Sequence, residues 1–526
     1  MKLRPSRAIF CLVLVLMVSA VLGGMLGGQV RATTKGEEDV DGSIKIFSNL
    51  LGLVEENYAN EVDADKAVYG AIDGMLRTLD PHSKFFDPKA FNSLREDQRG
   101  KYYGLGIQVT TRFGKVTVIS PPFLGSPAEK VGLRVGDVIA KVNGESTEKM
   151  DLNDVVSRLK GPRGTSVKIQ IIRPGADEPI ELSVIRDEIA KYTISNAFVI
   201  RPRIGYLKLD SFAETTGAEL RDALKKLDYK NLDGLVFDLR NNPGGLLQEA
   251  IEVCETFLEK GQLIVETKGR ARGSNRPYSS QKLNSDNHFP LVVLINAQSA
   301  SASEIVAGAI QDHDRGLIVG QTSFGKGLVQ SVYPLSKNAG LALTTQKWYT
   351  PSGRLIQRDY SQISQFDYYN HRDTNPAKHD DIKHSDIGRI VYGGGGITPD
   401  YLVEEPKLNE FQTTMISRFA FFTFGREFLG KNPPVDGSFQ VSDAILADFK
   451  QHITKRGIDF TEKDFQDNKD YLRRLIRYEV IYNKFGVSEA SKVLLDGDPQ
   501  VVKAIDLIPE AKDLATKARR QVAEKK

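Results

Sequence analysis

The chain reads as an α/β core preceded by a β-rich module, with helical segments at both ends. Three observations predict this architecture. Between about 190 and 400, continuous apolar runs such as "LDGLVFDL" and "PLVVLIN" alternate with amphipathic helical patterns, as strands buried on both faces do. From about 98 to 188 the chain turns glycine-rich and breaks into short strand-like pieces. Before Leu79 and beyond Pro406, apolar residues recur at helical spacing. A length of 526 residues fits roughly three or four domains.

At the amino terminus Lys2, Arg4 and Arg7 precede an apolar run from Ala8 to Gly28, followed by "GQVRATT". Val30 and Ala32 are placed for cleavage after Ala32. A run of about 20 apolar residues would also span a bilayer if left uncut. Residues 1–32 are therefore expected to be a signal peptide or a membrane anchor, and either implies export. Cys11 follows the bulky Phe10 inside this run, which argues against a lipoprotein site. Cys254 is the only other cysteine, so a disulfide framework is excluded. It shares a helix face with Leu247, Ala250, Ile251 and Phe257 and reads as a buried thiol. A net charge of +3 gives no reason to expect nucleic acid.

Residues 33–97 form the amino-terminal helical segment, with Ile44, Phe47, Leu50, Leu51 and Val54, then Ala67, Ala71, Ile72, Met75 and Leu76 in register. "DPHSKFFDP" (80–88) carries two Asp-Pro turn signals. In the module at 98–188, "LGIQVT", "KVTVIS", "DVIAKVNG" and "SVKIQIIR" read as strands and "LNDVVSRLK" as a helix. In the core at 189–406, "RIGYLKL", "LDGLVFDL" and "PLVVLIN" each precede a helix (214–227, 246–259 and 302–312), and "GLIVG" follows. Two polar stretches, 267–288 and 358–386, interrupt this alternation. Residues 407–526 are helical, broken at Pro433–Pro434, with Leu472, Leu475, Ile476 and Val480 on one face. Such a region could dimerise, bind an adaptor or pad the core.

The module opens with "YYGLGIQV" (102–109), a Gly-Leu-Gly turn before a strand. Such a turn can aim successive N–H groups at a carboxylate while the next strand accepts a peptide beside it. With "KVGLRVGDVI" and the helix carrying Leu152, Val155, Val156 and Leu159, the stretch resembles a PDZ domain. That resemblance implies that Leu105, Gly106 and Ile107 supply the carboxylate-binding amides.

"DLRNNPGG" (238–245) follows a buried strand. It serves either as an ordinary strand-ending turn or as a glycine pair that exposes backbone N–H groups to an oxyanion. "AQSASASEIVAG" (297–308) places three serines on a strand-to-helix turn. Ser301 with Glu304 fits a capping box, and the same position suits a nucleophile at a helix amino terminus.

A nucleophilic serine needs a base. His313 and Asp312 lie at the far end of the same helix, about 18 Å from Ser301. His288 precedes the strand whose other end carries the serines, roughly 20 Å away. Spacing does not exclude His82, which lies in a turn motif, and His371, His379 and His384 lie in a polar insertion. The alternative base is Lys326 in "SFGKGLVQ" (323–330), where a loop leaves a buried sheet. Lysine works as a base only when desolvation brings its pKa well below about 10.4. If 326–330 is extended, Gln330 shares a face with Lys326. His371, His379, Asp380, Asp381 and His384 fit no compact metal-ligand spacing and read as a solvated loop.

Taken together, "DPHSKFF", the PDZ-like module, "DLRNNPGG", "SASASEIVAGAIQDHDRGLIVGQTSFGKGLVQ" and "YGGGGITPD" (392–400) resemble, in order, the carboxyl-terminal processing proteases of peptidase family S41. The likeness covers roughly residues 40–405. It implies a crotonase-like (ClpP/crotonase-type) α/β core, with Ser301 as nucleophile, Lys326 as general base and Gln330 orienting the lysine. It further implies an oxyanion hole at Gly245 and the Ala302 N–H. The family carries an acidic residue at the position of Asp312, which the helix geometry instead makes structural. The enzyme would act in the periplasm or at the inner membrane, recognising the apolar carboxyl termini of unfolded or tail-exposed proteins, without metal or other cofactor. A homo-oligomer or an adaptor contact through the helical ends is compatible with it. A catalytically silent PDZ adaptor, or an acyl-CoA enzyme of the crotonase type, are the alternatives.

Overall fold

The computed structural model describes residues 35–282, 289–361, 363–370, 381–431 and 434–524. The segment 1–32, and with it the signal or anchor, lies outside these residues, as do His288, His371, His379 and Asp380. The chain divides into two units, residues 1–79 and 80–526.

In the first unit, α1 (Lys35–Asn57) and α2 (Ala64–Arg77) follow the helical periodicity. They are separated where Asp63 caps α2 by accepting the Lys66 N–H at 3.1 Å. The apolar face of α1 carries exposed Ile44, Phe47, Leu50 and Val54.

The second unit begins with β1 (Lys84–Phe86) and α3 (Pro88–Arg99). The second Asp-Pro pair is a helix start rather than a turn. Asp87 accepts the Ala90 N–H at 2.7 Å, and Pro88 occupies the first helical position, where no N–H is needed. Then β2 (Lys101–Gly104) leads into the β-rich module: β3 (Val109–Arg112), β4 (Lys115–Val118), β5 (Val138–Val142), the short β6 (Glu145–Ser146), α4 (Leu152–Leu159), β7 (Ser166–Ile172) and β8 (Ile180–Ile185). The sheet order is β3-β4-β5-β7-β8, with β6 on β5, so β3 is an edge strand. Val116, Ile139, Val142, Val167, Ile169 and Ile171 point inward and are covered by Val155 and Leu159 of α4. The chain leaves through β9 (Asp187–Ala190), which pairs antiparallel with β2, Lys101 opposite Ala190. Entry and exit therefore form one two-stranded ribbon.

The core sheet is built from β10 (Ile194–Arg201), β11 (Ile204–Leu209), β12 (Gly234–Asp238), β15 (Leu291–Ile295), β16 (Leu317–Gly320) and β19 (Tyr401–Leu402), in that order. β10 is antiparallel to β11; the remaining pairs are parallel. Crossovers run through α5 (Thr216–Lys226), α6 (Leu247–Phe257) and α7 (Ala302–Asp312). Side-chain alternation splits the strands cleanly. Leu235, Phe237, Val293 and Ile295 face α5, α6 and α7, while Val236, Val292 and Leu294 face the opposite way. Cys254 is fully buried among the first set, and burial pushes its thiol up, as expected for a packing residue.

A second sheet was not legible as such. β13 (Leu263–Lys268) and β14 (Arg276–Ser279) form a hairpin that runs into the polar stretch 267–288, and β17 (Leu328–Pro334) and β18 (Gly340–Tyr349) form another. The order is β1-β18-β13-β14 with β17 on β18. The second polar stretch holds α8 (Gln365–Asn370), whose Tyr368 is buried against Ala300 and Phe324.

Beyond 406 the chain is helical as the periodicity predicts: α9 (Glu410–Ser417), α10 (Ala420–Gly430), α11 (Asp443–Lys455), α12 (Glu462–Asp467), α13 (Lys469–Phe485), α14 (Val487–Leu495), α15 (Pro499–Asp506) and α16 (Ile508–Glu524). Leu472, Ile476 and Val480 are buried against Phe421, Phe424 and Phe449, with Leu475 partly covered. The last two helices do more than extend this bundle. Val501, Ala504, Leu507, Ile508, Ala511 and Leu514 cover Val236, Val292 and Leu294, so α15 and α16 are the second helical layer of the core sheet.

Arg240 fastens that layer. It pairs with Asp238 at 2.6 Å, with Asp498 at 2.7 Å and with Gln500 at 2.8 Å. Burial alone would raise the Asp238 carboxyl, but Arg240 and Lys208 outweigh it and bring the group down to about 2. Replacing Arg240 by Ala leaves Asp238 buried without its main partner and is expected to cost about 3–5 kcal/mol in urea unfolding. In the unaltered protein, the contribution of Asp238 is present above the unfolded carboxylate pKa of about 3.9. It is lost as pH falls toward 2, which an acid titration of stability would reveal.

Candidate active site

A cleft of about 1130 Å³ runs from Ile107 and Gln108 of the module, past Phe212 and Gly245, to Ser301, Lys326 and Gln330. Three turns build its inner end. They follow β12, β15 and β16, all at the carboxyl ends of parallel strands, where an α/β sheet opens its crevice.

The three serines divide into distinct roles. Ser299 is fully buried and donates to the Leu239 carbonyl at 2.8 Å; Ser303 is fully buried and donates to the Asn242 carbonyl at 2.9 Å. Both stitch the serine turn to the turn after β12. Ser301 alone lines the cleft. Its backbone is at φ +55°, ψ −111°, a conformation that non-glycine residues adopt only when the surroundings impose it. The expected capping box is present: Glu304 accepts the Ser301 N–H at 2.7 Å, and the Ser301 side chain faces the Glu304 N–H, which also donates to the Ser301 carbonyl at 2.9 Å. Ser301 at the same time opens on the cleft.

Glycine is required beside it. At φ +95°, Gly244 brings its Cα so close that a Cβ would stand 2.7 Å from the Ala300 carbonyl and 2.9 Å from the Ala302 nitrogen. Gly245, at φ +151°, packs on the Phe212 carbonyl in the same way. Gly245 and Ala302 both line the cleft, and neither N–H enters a hydrogen bond among the described residues.

Lys326 sits in the loop between β16 and β17, and Glu304 holds this loop too. The fully buried carboxylate accepts the Ser323 hydroxyl at 2.5 Å, the Gly325 N–H at 2.6 Å and the Lys326 N–H at 2.9 Å. The Lys326 carbonyl takes the Trp348 indole N–H at 3.1 Å. Burial pushes the Lys326 amine below the ordinary lysine range, against the opposing pull of Glu304 and Asp80. Burial pushes the Glu304 carboxyl up, with its four hydrogen bonds pulling the other way.

Gln330 lies in β17 and lines the same cleft, but its amide donates to the Thr344 hydroxyl at 3.3 Å. Asp312 is fully buried, paired with Arg354 at 2.5 Å and accepting the Ser352 N–H at 2.9 Å, in keeping with a structural role. His313 caps the far end of α7, bonded to Asp386 and the Leu263 carbonyl, both at 2.7 Å. His384 lies in a short strand and Asp381 pairs with Lys383 at 2.9 Å. His82 is the residue that spacing could not place: it lines the cleft with Ser301 and Lys326.

At the module end, Leu105 is buried and Gly106 is at φ +79°, their carbonyls accepting the Ala128 and Phe123 N–H groups at 2.9 Å. The N–H groups of Leu105, Gly106 and Ile107 enter no hydrogen bond among the described residues. The strand that follows starts at Val109, not at Leu105; Leu105 packs into the module's core, and Ile107 and Gln108 line the cleft.

Replacing Glu304 by Gln keeps the shape but turns one oxygen into an amide NH₂ facing two donors. The expected result is a loss of about 2–3 kcal/mol in urea unfolding, together with a marked drop in any activity that uses both Ser301 and Lys326.

Family models match this chain in three places: peptidase family S41 at residues 203–364, a PDZ domain at 118–173, and the activating protease CtpB N-terminal domain at 27–90. A carboxy-terminal-processing protease of Bartonella bacilliformis is 38% identical over 378 residues, 71% of this chain and 78% of that one. The carboxy-terminal processing protease CtpB of Bacillus subtilis is 35% identical over 68% of this chain and 77% of its own. Among solved structures, the photosystem II D1 C-terminal processing protease is 28% identical, covering 68% of this chain and 92% of that chain with a TM-score of 0.35. The peptidase match spans the strands and turns that shape the inner cleft, and the PDZ match falls on the β-rich module. The chain thus belongs to peptidase family S41, among the PDZ-bearing carboxy-terminal processing serine proteases.

Proposed function

We propose that this protease cuts with a Ser301–Lys326 dyad. The observation that supports it best is a single buried carboxylate, Glu304, hydrogen-bonded to the backbone N–H of both residues on the wall of one cleft. Neutral Lys326 takes the Ser301 proton as the oxygen attacks the scissile carbonyl. The Gly245 and Ala302 N–H groups donate to the oxyanion. The lysine ammonium returns its proton to the leaving amine, and water releases the acyl-enzyme. Gln330 steadies the lysine from β17. The reaction needs no metal or other cofactor.

Substrate enters by its tail. The Leu105, Gly106 and Ile107 N–H groups hold a carboxyl terminus, the open edge of β3 takes the preceding residues as an added strand, and the cleft carries the chain inward. The substrates are unfolded or tail-exposed exported proteins with apolar carboxyl termini. The core, 189–406, is of the crotonase-like type. It follows a PDZ domain at 98–188 and a helical segment at 33–97, and precedes a helical region at 407–526 that pads the core and offers a surface for a second copy or an adaptor. Residues 1–32 direct export, placing the enzyme in the periplasm, free or tethered to the inner membrane.

The test is hydrolysis of an unfolded substrate ending in apolar residues. Ser301→Ala and Lys326→Ala are each expected to lower kcat by about 10³-fold or more. Undiminished proteolysis in either would overturn the assignment. Since the base must be deprotonated, kcat/KM is expected to rise with pH through the Lys326 pKa. The midpoint should fall below the free-lysine value of about 10.4, because burial lowers that amine. Amidating the substrate's terminal carboxylate should raise KM more than it lowers kcat.

A further inference from the structure

The motif "DPHSKFF" matches the family, yet the dyad makes no use of it. In the structure it is a tight turn. Asp80 accepts the His82 N–H at 2.7 Å, the Ser83 N–H at 2.8 Å and the Ser83 hydroxyl at 2.7 Å. The Ser83 hydroxyl also receives the Thr344 N–H at 3.1 Å, which pins the turn to β18. The turn thereby delivers the His82 ring to the inner end of the cleft.

There the imidazole is enclosed. Its Nε2 is 3.1 Å from the Tyr368 hydroxyl and its Nδ1 is 3.1 Å from the Tyr369 hydroxyl. The ring meets Tyr368 edge-on at 5.4 Å and Phe324, two residues before Lys326, at 6.3 Å. Tyr368 also receives the Gln357 amide N–H at 3.1 Å, and the Gln357 carbonyl accepts the Gly327 N–H at 2.8 Å. A chain of contacts thus runs from His82 through Tyr368 and Gln357 to the residue after Lys326. The Tyr369 hydroxyl donates its proton to the Pro81 carbonyl at 2.9 Å, so it accepts from the His82 Nδ1–H, and Nε2 accepts from the Tyr368 hydroxyl; both ring nitrogens of the neutral imidazole are thereby satisfied.

From these contacts we propose that His82 is a positioning residue for Lys326: with Tyr368 and Phe324 it forms a neutral aromatic wall that keeps water from the amine and fixes the lysine loop. The inference rests on Lys326 being the base. His82 itself is unsuited to that task. Burial, with Lys326 and Arg358 nearby, brings its imidazole down to about 3 against the pull of Asp80, so it stays uncharged at working pH. The charged groups around the lysine are Glu304 and Asp80, which favour its ammonium, and Arg358, whose guanidinium lies over the Phe324 and Tyr368 rings at 4.9 and 4.4 Å. Both carboxylates are already occupied, Asp80 by donors of its own turn and Glu304 by hydroxyl and N–H donors of the serine turn and the lysine loop. Dehydration by the wall therefore prevails, and the amine is held down.

The experiment measures the amine directly. In full-length Ser301→Ala protein, the rate of Lys326 acylation by acetic anhydride is followed against pH by peptide mass spectrometry. His82→Asn and Tyr368→Ala are each expected to raise the midpoint by about one unit. Tyr368→Phe keeps the ring, loses only the hydroxyl, and is expected to raise it by about half a unit; it carries the test if the larger changes unfold the protein. In the Ser301 background, His82→Asn should shift the acidic limb of kcat/KM upward by the same amount and lower kcat at neutral pH about tenfold, with a smaller change in KM. An unchanged midpoint in the folded variants overturns the proposal. If Lys326→Ala is inactive while the midpoints stay put, the dyad survives and the wall does not. If Lys326→Ala retains activity, the dyad falls, and with it the purpose assigned here to His82.

Discussion

One buried carboxylate organises the inner cleft. Glu304 projects from the first turn of α7 and is hydrogen-bonded to Ser301 on one side and to Ser323, Gly325 and Lys326 on the other. These donors come from two loops more than twenty residues apart, and neither loop is regular structure with a ladder of its own. A carboxylate taken out of water is costly unless its lone pairs are filled, and here four donors fill them. The cost of burial becomes a constraint, because the charge is tolerated only while both loops are in place. The same group opposes the dehydration of the lysine amine, so the basicity of Lys326 is set by two effects of opposite sign rather than by burial alone.

Close backbone approach supplies the second constraint. The turns after β12 and β15 meet where Gly244 faces Ala300 and Ala302, and side-chain hydroxyls from Ser299 and Ser303 lock them together. The unusual φ of Ser301 follows from this clamp. Its neighbours on both sides are fixed before its own torsions are considered, and the strain falls on the one residue whose hydroxyl the clamp does not use.

Much of this was legible in the sequence because it depends on local pattern. Runs such as "LDGLVFDL" and "PLVVLIN" are buried on both faces and read as central parallel strands, and α5, α6 and α7 follow them where periodicity places them. The strained serine turn was visible as serines between a strand and a helix, and Lys326 emerged because nearer bases were too far along rigid elements. What escaped detection depends on long-range partnership. β17 passes from buried Leu328 to exposed Val332 and Tyr333, and β18 is half-buried through its middle, so neither keeps a clean alternation that would mark a hairpin. His82 sits in a turn whose sequence explains itself through Asp80, and only the fold brings Tyr368 and Phe324 against it. Glu304 looked like half of a helix cap; its second set of partners lies in another loop. The role of α15 and α16 was hidden for a similar reason. An amphipathic helix announces that it has an apolar face, not what covers it.

That last layer bears on the order in which the molecule can be assembled. The contacts of Arg240 with Asp498 and Gln500 span 258 and 260 residues of chain, and Val236 and Val292 wait for Leu507 and Ile508 across a comparable distance. Contacts so remote in sequence slow folding, because the loop must close before the contact rewards it. Until the final helices emerge, one whole face of the central sheet stays wet and adhesive. A chain without α15 and α16 would keep the cleft residues Ser301, Lys326 and Gly245 and still lack a finished sheet behind them.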